Sequence, residues 1–588
     1  MKQFLKMTFA SMLGFILGGI ILLFVVIGIF IAVLKHSLHD RGERVASNTI
    51  LQIDLNYNLD EQGHLDLFRH LHIGNWNAHA SLGLNEVIAQ LKRASTDERI
   101  KGILLDFGGF QNGAATAEVL RDAMLEFKKS GKFIAAYAEV YSQKAYYVCS
   151  AADAVYLAPE GYLEFKGIQA NITFLKEALD KIGVQTQVIF HGKYKTATEP
   201  FRLDRMSEEN KRMTRDLIDQ IYHQYLSDIS ESRRVPVKML DSIASNLLVR
   251  NASSAKAFHL VDDLLYRDQV YDFLAGKAGV GKKEELPLLS LSKYAESSTP
   301  PAPSKNKIAI LYAQGDIVDG KGGRDNIGAE SLVKELRKIR QDDKIKSVVL
   351  RINSPGGSAL ASDLIWRAVW ITNQVKPVVV SMGDYAASGG YYMACAATKI
   401  VAEPNTLTGS IGVFGIVPNF QALLQDKLGL HFDGVGTGKY SDFGNLSRPL
   451  RDDEKQIIED EIERTYQSFL RHVADGRHST PTAIDSIAQG RVWTGVQALH
   501  LGLVDELGGM ETAVKTAVKL SGLNEYSLAE YPEETGGLQE LIQDFTDDEK
   551  SAWMKSQFGN WSGPLNDLLS LPRLNGIMMR LPVNIELN

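Results

Sequence analysis

A serine between glycines is the first group in this sequence of 588 residues whose setting suggests chemistry. Ser410 lies between Gly409 and Gly412 in the stretch TLTGSIGVFG, directly after an apolar segment. A small hydroxyl with glycine neighbours suits a turn, but it also suits a nucleophile that a substrate carbonyl must approach closely. Gly356 and Gly357 in NSPGGS could present backbone N–H groups to an oxyanion, or could form a tight turn only.

A nucleophilic serine needs a group that accepts its proton, and the histidines are poor candidates for it. His472 and His478 lie in the polar run RHVADGRHST, which is typical of solvated or capping residues. The alternative base is a lysine whose pKa is lowered by burial, because a desolvated ammonium loses its preference for charge. The sequence therefore favours a serine and lysine pair, and the lysine has to be found.

An internal repeat narrows the search for that lysine. Residues 144–159 align with residues 389–404, and residues 102–110 align with 347–355 at the same spacing. Further blocks follow in the same order, which chance similarity would not produce. We expect related domains over 47–275 and 306–525, an extended linker over 276–305 that includes most of ESSTPPAPSKNK, and a tail over 526–588.

The copies differ from each other at the candidate residues in a complementary way. GKYK of the first copy ends in Lys195, whereas GKYS of the second ends in Ser441, and Phe165 of the first stands where the second has Ser410. Lys193 recurs in the second copy as Lys439 and therefore reads as structural. Other groups are missing from the first copy together: Gln111, Asn112 and Gln143 stand in place of Gly356, Gly357 and Ser388. These losses predict one site built from both copies, with Ser410 as nucleophile and Lys195 as base.

The elements that must position these residues are strands alternating with helices. Short β-branched runs such as KIAILYA, SVVLRI and PVVVSM alternate with amphipathic patterns such as AESLVKELRKIRQDD. This order predicts an α/β fold of right-handed βαβ units with a mainly parallel sheet. The Gly-rich loops follow the carboxyl ends of the strands, which is the edge where α/β sheets bind their ligands.

The first segment of the chain differs in composition from the rest. Residues 7–34 contain no charged side chain, which predicts one transmembrane helix, with a cleaved signal peptide as the alternative. The flanking charges do not settle its orientation.

The net charge of −7 gives no basic excess, so nucleic acid is a poor partner. Cys149 and Cys395 do not demand a disulfide.

The repeats and the motifs NSPGGS, GDYAASGGYY, TGSIGVFG and GKYKTATEPF together resemble the long, duplicated form of the signal peptide peptidase A (protease IV) family. The resemblance implies two tandem Clp/crotonase-like repeats after a membrane anchor, with Ser410 as nucleophile and Lys195 as base. It places the oxyanion or substrate contacts at Gly356, Gly357 and Ile411. Some relatives have a further serine beside the lysine, for which Thr437 or Ser441 are the possible substitutes here.

The same resemblance implies a homotetramer on a bacterial inner membrane, a single-pass anchor, and a catalytic body on the periplasmic side. Its substrates would be apolar peptides, namely released signal peptides, and it implies no cofactor and no metal. Ser388 lies where the Clp proteolytic subunit has its nucleophile. Because such a serine would need a histidine partner, replacing Ser388 is expected to be milder than replacing Ser410.

Two other classes of function stay open from the sequence alone. Crotonase-like folds also stabilise thioester enolates, so an acyl-CoA enzyme is conceivable. A non-catalytic membrane scaffold is the other alternative, and loss of Ser410 or Lys195 would have supported it. Both residues are present.

Overall fold

The computed structural model describes most of the chain in several stretches. They are residues 45–63, 82–281, 285–297, 304–323, 325–533, 576–581 and 586–587, with residues 14, 15, 17–19 and 28 of the first segment. Among these residues no helix is both long and apolar enough to cross a membrane. Most of the anchor predicted over 7–34, and most of the tail predicted over 526–588, fall outside the described residues.

The first repeat is built on a six-stranded sheet in which every pair of neighbouring strands is parallel, in the order β7-β4-β3-β2-β1-β8. Helices cover it, so its strands are nearly continuous apolar runs, as parallel sheets require. The strands are β1 (Thr49–Ile53), β2 (Ile100–Leu105), β3 (Phe133–Tyr141), β4 (Ala154–Leu163), β7 (Asp263–Leu264) and β8 (Leu288–Ser290).

The second repeat has its own sheet, in the order β18-β16-β14-β12-β9-β20, with β15 paired to β14 and to β19. Only the pairing of β16 with β18 is antiparallel among these. The strands are β9 (Lys307–Gln314), β12 (Ile345–Ser354), β14 (Val378–Ala387), β15 (Lys399–Ala402), β16 (Leu407–Gly409), β18 (Val492–Thr494), β19 (Glu506–Leu507) and β20 (Ser527–Tyr531).

A third sheet joins the two repeats, in the order β11-β10-β13-β21-β17-β6. Its strand β6 comes from the first repeat, and β21 comes from near the end of the chain. The strands are β6 (Gln185–His191), β10 (Asp316–Val318), β11 (Asn326–Gly328), β13 (Gly356–Ser358), β17 (Val413–Asn419) and β21 (Gly576–Arg580), while β5 (Ala170–Asn171) and β22 (Glu586–Leu587) form a separate pair.

The helices fill the connections between strands. Those of the first repeat are α1 (Leu84–Thr96), α2 (Ala114–Lys128), α3 (Gln143–Cys149), α4 (Lys176–Ile182), α5 (Glu199–Arg202), α6 (Glu208–Arg233), α7 (Val237–Ser245), α8 (Ala252–Ala257), α9 (Arg267–Ala278) and α10 (Leu291–Glu296). Those of the second are α11 (Ala329–Gln341), α12 (Ala359–Asn373), α13 (Gly389–Ala394), α14 (Asp452–Gly476), α15 (Pro481–Ile487), α16 (Gly495–His500) and α17 (Met510–Ser521). A 3₁₀ turn covers Thr196–Thr198 and a π-helical turn covers Leu423–Lys427.

Parts of the segments predicted as linker and tail are folded. Strand β8 and helix α10 lie within 276–305, where Leu289, Leu291 and Tyr294 join the core of the first repeat. Strand β20 lies within the tail and completes the edge of the second sheet against β9. Pattern reading missed these pieces because each is too short to show a period.

Candidate active site

The two serines follow neighbouring strands of one sheet. Strands β14 and β16 are parallel, and Ala387 pairs with Gly409. The next residue on each strand is Ser388 and Ser410, so the register places them side by side at the carboxyl edge. The Ser388 N–H donates to the Gly409 carbonyl at 2.8 Å, which ties the two loops together. Both serines are fully buried.

Ser388 occupies a strained turn between a strand and a helix. It follows β14 directly and caps α13, with φ 54° and ψ −112°. A residue with a side chain pays about 1–3 kcal/mol for such a conformation, and strain of this kind persists where the surrounding structure enforces it. Sharp strand-to-helix turns of this type present a nucleophilic hydroxyl in other hydrolases. Ser410 also has a positive φ, 51°, but it leads into an extended segment rather than a helix.

The lysine reaches the serines through the third sheet. Strand β6 of the first repeat pairs antiparallel with β17, from Gln185 opposite Asn419 to His191 opposite Val413. Lys195 follows β6 by four residues, and β17 begins three residues after Ser410. The sheet pairing therefore carries a first-repeat lysine to a second-repeat serine loop, as the complementary losses in the sequence predicted.

Glycines make this close approach possible. A Cβ atom added at Gly490, whose φ is 79°, would lie 2.6 Å from the backbone nitrogen of Lys195. One added at Gly412 would lie 3.1 Å from the Cδ atom of Lys195. Tyr194, next to Lys195, donates its N–H to the Gln489 carbonyl at 2.7 Å. The loop before β18 belongs to the second repeat, and it therefore holds Lys195 of the first repeat in position.

Lys195 contacts both serines from a buried position. Its Nζ atom lies 2.8 Å from Ser388 Oγ, 3.1 Å from Ser410 Oγ and 3.1 Å from the Ser410 carbonyl oxygen. The side chain is 1% exposed, and burial lowers the pKa of Lys195 well below its ordinary value. The geometry and the lowered pKa suit an amine that accepts a serine proton.

The hydrogen-bonding capacity of that amine limits the roles of its three neighbours. A neutral lysine amine has two N–H donors and one lone pair. The Ser410 carbonyl can only accept, so it takes one N–H. The other N–H and the lone pair are left for the two hydroxyls, so one serine accepts from the lysine while the other gives up its proton.

Gly356, one of the two glycines predicted for an oxyanion site, lies against the residues on either side of Ser388. A Cβ atom added at Gly356, whose φ is 101°, would be 2.8 Å from the nitrogen of Gly389 and 3.0 Å from the carbonyl oxygen of Ala387. Gly389 opens α13, so its N–H has no acceptor within the helix. The Gly356 N–H donates to Ser354 Oγ at 3.1 Å. Of these two amides, the Gly389 N–H suits an oxyanion, whereas the Gly356 N–H is already bonded to Ser354 Oγ.

The other predicted backbone contacts are placed differently. Gly357 pairs with Ile317 of β10 on one side and with Met579 of β21 on the other. The Ile411 side chain is buried in the second-repeat core, and its carbonyl accepts from the Gly490 N–H at 2.8 Å. Both therefore build the walls around the site.

The expected lysine partners are corrected by the hydrogen bonds of Lys195, which go to Ser388 and Ser410 instead. Thr437 and Ser441 lie in an exposed stretch, and the Ser441 hydroxyl bonds to the backbone of Gly438. Neither Thr437 nor Ser441 is among the hydrogen-bond partners of the Lys195 amine. Lys193 is largely exposed, 3.9 Å from Glu209.

The first repeat has filled its equivalent position with side chains. Phe165, which stands where the second repeat has Ser410, is buried, and its ring packs edge-on against Tyr146 with 5.9 Å between the ring centroids. Gln143 stands in place of Ser388 and accepts a hydrogen bond from the Lys166 N–H at 2.8 Å. The Asn112 side chain bonds to the backbone of Leu59. This pocket holds structural contacts rather than a nucleophile.

Sequence reasoning missed the buried polar contacts that lock the repeats together near the serines. Asp384 accepts from the Gly113 N–H at 3.0 Å and from the Thr116 hydroxyl at 2.7 Å, at the start of α2. Glu61 forms a buried ion pair with Arg351 at 2.8 Å. An acidic residue four positions before Ser388 was the available signal, but its partner lies far away in the sequence.

A second buried hydrogen bond between the repeats involves the carboxyl group of Glu118, whose pKa is raised. Asn405, in the loop that leads to Ser410, donates to Glu118 Oε2 at 2.9 Å. Burial, together with the nearby Glu403 carboxyl, raises the pKa of Glu118 to about 9. Burial likewise raises the pKa of Glu403 to about 8. Within the described residues, no cluster of three or more His, Cys, Asp and Glu side chains could hold a metal ion.

Buried serines at the carboxyl edge of an α/β sheet are the arrangement of a serine hydrolase. Comparison with known proteins gives the family. Peptidase family S49 matches residues 126–281 and 371–524, and the Clp protease family matches residues 304–408. The chain belongs to peptidase family S49, and it is a serine peptidase of the signal peptide peptidase A type.

Individual relatives agree with this assignment over most of the chain. Protease 4 of Salmonella typhi is 36% identical, over 79% of this chain and 76% of its own length. Protease 4 of Haemophilus influenzae is 36% identical over 74% and 72%. The chloroplastic serine protease SPPA of Arabidopsis thaliana is 36% identical over 74% and 66%. The chain is thus similar to peptidases rather than to the acyl-CoA enzymes or scaffolds that the sequence alone left open.

Proposed function

We propose that this chain is a membrane-anchored endopeptidase that cuts apolar peptides, including released signal peptides, through an acyl-enzyme on a serine activated by Lys195. The observation that carries the proposal is the buried Lys195 amine within hydrogen-bonding distance of both Ser388 and Ser410. A lysine held neutral accepts a proton near neutral pH, which an exposed lysine does not.

We assign the nucleophile to Ser388 and an orienting role to Ser410, which reverses the expectation from the sequence. Three features support the change. Ser388 has the shorter contact with Lys195, it occupies the strained turn before α13, and it directly precedes the amide of Gly389. Ser410 offers two oxygens to Lys195, its carbonyl and its hydroxyl, and these orient the lone pair toward Ser388.

The reaction follows from these positions. Lys195 takes the Ser388 proton as the Ser388 oxygen attacks the peptide carbonyl, and the amide of Gly389 stabilises the oxyanion. The lysine then gives its proton to the departing amine, which leaves an acyl group on Ser388. Water deprotonated by the same lysine releases the acyl group, and the site returns to its first state.

The membrane location and the assembly are part of the same proposal. The uncharged run over 7–34 supports a single-pass anchor, and the family resemblance supports a periplasmic body and a homotetramer. Large apolar side chains are exposed at Leu430, Phe432 and Val435, on a surface that association would bury.

The test compares Ser388→Ala with Ser410→Ala in the full chain in detergent. The readouts are hydrolysis of an apolar fluorogenic peptide and labelling by a fluorophosphonate, with the labelled peptide mapped. Ser388→Ala should abolish both, whereas Ser410→Ala should keep labelling and lose about 10- to 1,000-fold in rate, because it removes only one orienting hydrogen bond. Label on the peptide that contains Ser410 would return the nucleophile to that residue.

A further inference from the structure

The residues that lead to Lys195 lie against one residue of the second repeat, Gln489. The Gln489 carbonyl accepts from the Tyr194 N–H at 2.7 Å, and its side-chain Oε1 accepts from the Lys193 N–H at 3.3 Å. A Cβ atom added at Gly192 would lie 2.7 Å from the Gln489 carbonyl carbon. Gln489 therefore bonds to, or closely approaches, each of the residues 192–194 that precede Lys195.

Two other side chains of the second repeat hold Gln489 in turn. The Gln489 Nε2 atom donates to Asp485 Oδ1 at 2.5 Å, and the Tyr466 hydroxyl donates to the same oxygen. The Gln489 N–H donates to the Tyr466 oxygen at 3.4 Å, which is a weak bond. Burial, and then the bond to Asp485, raise the pKa of Tyr466, so its hydroxyl stays protonated and donates.

The same tyrosine also supports the other end of the lysine loop. His191, the last residue of β6, stacks on the Tyr466 ring with 3.9 Å between the ring centroids. The His191 Nδ1 atom lies 2.6 Å from Glu463 Oε2 of α14. Because His191 and Lys195 are four residues apart, Tyr466 and Gln489 together hold this loop at both ends.

The backbone of Gln489 is strained, which favours a task for its side chain. Gln489 has φ 53°, in the left-handed region that a glycine adopts with less strain. The strained residue lies where the serine loop is fastened: the next residue, Gly490, donates its N–H to the Ile411 carbonyl at 2.8 Å, and the Ser410 N–H donates to the Arg491 carbonyl at 2.7 Å. Gln489 thus lies between the loop of the lysine and the loop of a serine.

We infer that Gln489 is a positioning residue, which fixes the Lys195 amine at hydrogen-bonding distance from the two serines. Tyr466 and Asp485 orient the Gln489 side chain for this task. The inference rests on the proposed function, because it takes Lys195 to be the base. The amine bonds to the serines and not to Gln489, so Gln489 acts through the backbone of residues 192–194. A catalytic group displaced by about 1 Å can lose about 100-fold in rate.

The test is Gln489→Ala in the full chain in detergent, because alanine keeps the backbone bond to Tyr194 and removes the side-chain bonds. With the apolar fluorogenic peptide, kcat should fall about 10- to 100-fold while KM stays within about twofold, since the base is displaced and the bound peptide is not. The midpoint of the pH profile of kcat/KM should move to higher pH. Burial lowers the pKa of Lys195, and a loosely held amine is less buried.

The pH midpoint separates positioning from a purely structural role, which would lower stability and leave the midpoint in place. The matched control is Gln456→Ala on the exposed face of α14, where Gln456 donates to Asp460 at 2.9 Å and so repeats the Gln-to-Asp pair away from the site. The control should keep the wild-type kcat, KM and midpoint. An unchanged midpoint in folded Gln489→Ala would overturn the inference, whatever happens to the rate.

Asp485 offers a conservative variant and a disruptive one. Asp485→Asn keeps an oxygen that accepts from Tyr466 and Gln489, so its kcat should stay within about twofold of wild type, with the same midpoint. Asp485→Ala removes that acceptor and should reproduce Gln489→Ala. Equal losses in the two Asp485 variants would show that the hydrogen bonds do not carry the effect, and would overturn the inference.

Tyr466→Phe covers the case in which Gln489→Ala does not fold. Phenylalanine keeps the ring that stacks on His191 and removes only the hydroxyl. The variant should lose about threefold in kcat and move the midpoint to higher pH, because Gln489 and Asp485 lose one of their partners. A wild-type midpoint in Tyr466→Phe would then count against the inference.

These results distinguish the inference from the proposed function. If Lys195→Met is inactive but Gln489→Ala keeps the wild-type midpoint, the peptidase proposal stands and the positioning role fails. If Lys195→Met hydrolyses the peptide at the wild-type rate, the proposed function fails, and the positioning role fails with it.

Discussion

Replacing Lys195 by methionine should change the pH dependence of stability as well as remove activity. Lys195 is buried with a lowered pKa, whereas in the unfolded chain a lysine titrates near its ordinary value. Between these two pKa values the unfolded state binds one proton more than the folded state. The wild-type protein therefore gains stability as pH rises through this window, by about 1.4 kcal/mol per pH unit.

The same window sets the sign of the effect at each pH. Within it, Lys195 has to release its proton on folding, and the free-energy cost of that release falls as pH rises. Methionine avoids this cost but leaves the Ser388 and Ser410 hydroxyls without the amine, at about 1–3 kcal/mol each. The absolute stabilities can therefore be similar, while the difference between variant and wild type should still shrink steadily as pH rises.

The assay is urea unfolding of wild type, Lys195→Met and the control Lys193→Met from about pH 6 to pH 10. Lys193 is largely exposed, so its replacement should give a difference in stability that does not vary with pH. The Lys195 difference should become constant below the folded pKa, and the pH profile of kcat/KM should rise through the same value. A pH-independent difference for Lys195→Met would refute the buried, neutral lysine.

The remaining predictions concern the same site. Lys195→Arg should be as inactive as Lys195→Met in the peptide assay, since guanidinium stays protonated and cannot take the serine proton. A fluorophosphonate should label one site per chain by mass spectrometry, and Phe165→Ser should not rescue Ser388→Ala, because the first-repeat pocket lacks a base; two labels per chain would contradict the split site. Gly490→Ala should lower thermal stability by about 2 kcal/mol and kcat/KM by about 100-fold, because its Cβ would press on the Lys195 backbone.

The architecture and the lysine could be read from the sequence because repetition made them visible. The aligned blocks predicted two related α/β units, and the exchange of Lys195 for Ser441 pointed to the lysine that we propose as the base. Periodicity alone would have missed this lysine, because Lys195 belongs to no regular strand and only to the edge of a short turn. In a duplicated chain the two copies can be compared with each other, and the positions at which they differ indicated the candidate site residues.

The proposed choice of Ser388 over Ser410 rests on backbone geometry, which the sequence does not show. Both serines stand in glycine-rich loops, and the argument against Ser388 assumed that it would need a histidine. The parallel register of β14 with β16 brings both hydroxyls to one amine, which removes that objection. The strained turn at Ser388 and the approach of Gly356 are likewise properties of the folded chain. Strand β21 was missed because five residues in a long tail give no pattern.

The first repeat does more at this site than supply a lysine. The start of its helix α2 holds Asp384, four residues before Ser388, and its Glu118 holds Asn405, five residues before Ser410. Both serine loops are thus fixed from the other repeat by buried hydrogen bonds, which are costly to leave unmade. The second repeat in turn grips Lys195 through Gly490 and Gln489. Because each repeat positions the catalytic group of the other, the duplicated chain could lose the redundant serine and lysine but could not lose the fold that surrounds them.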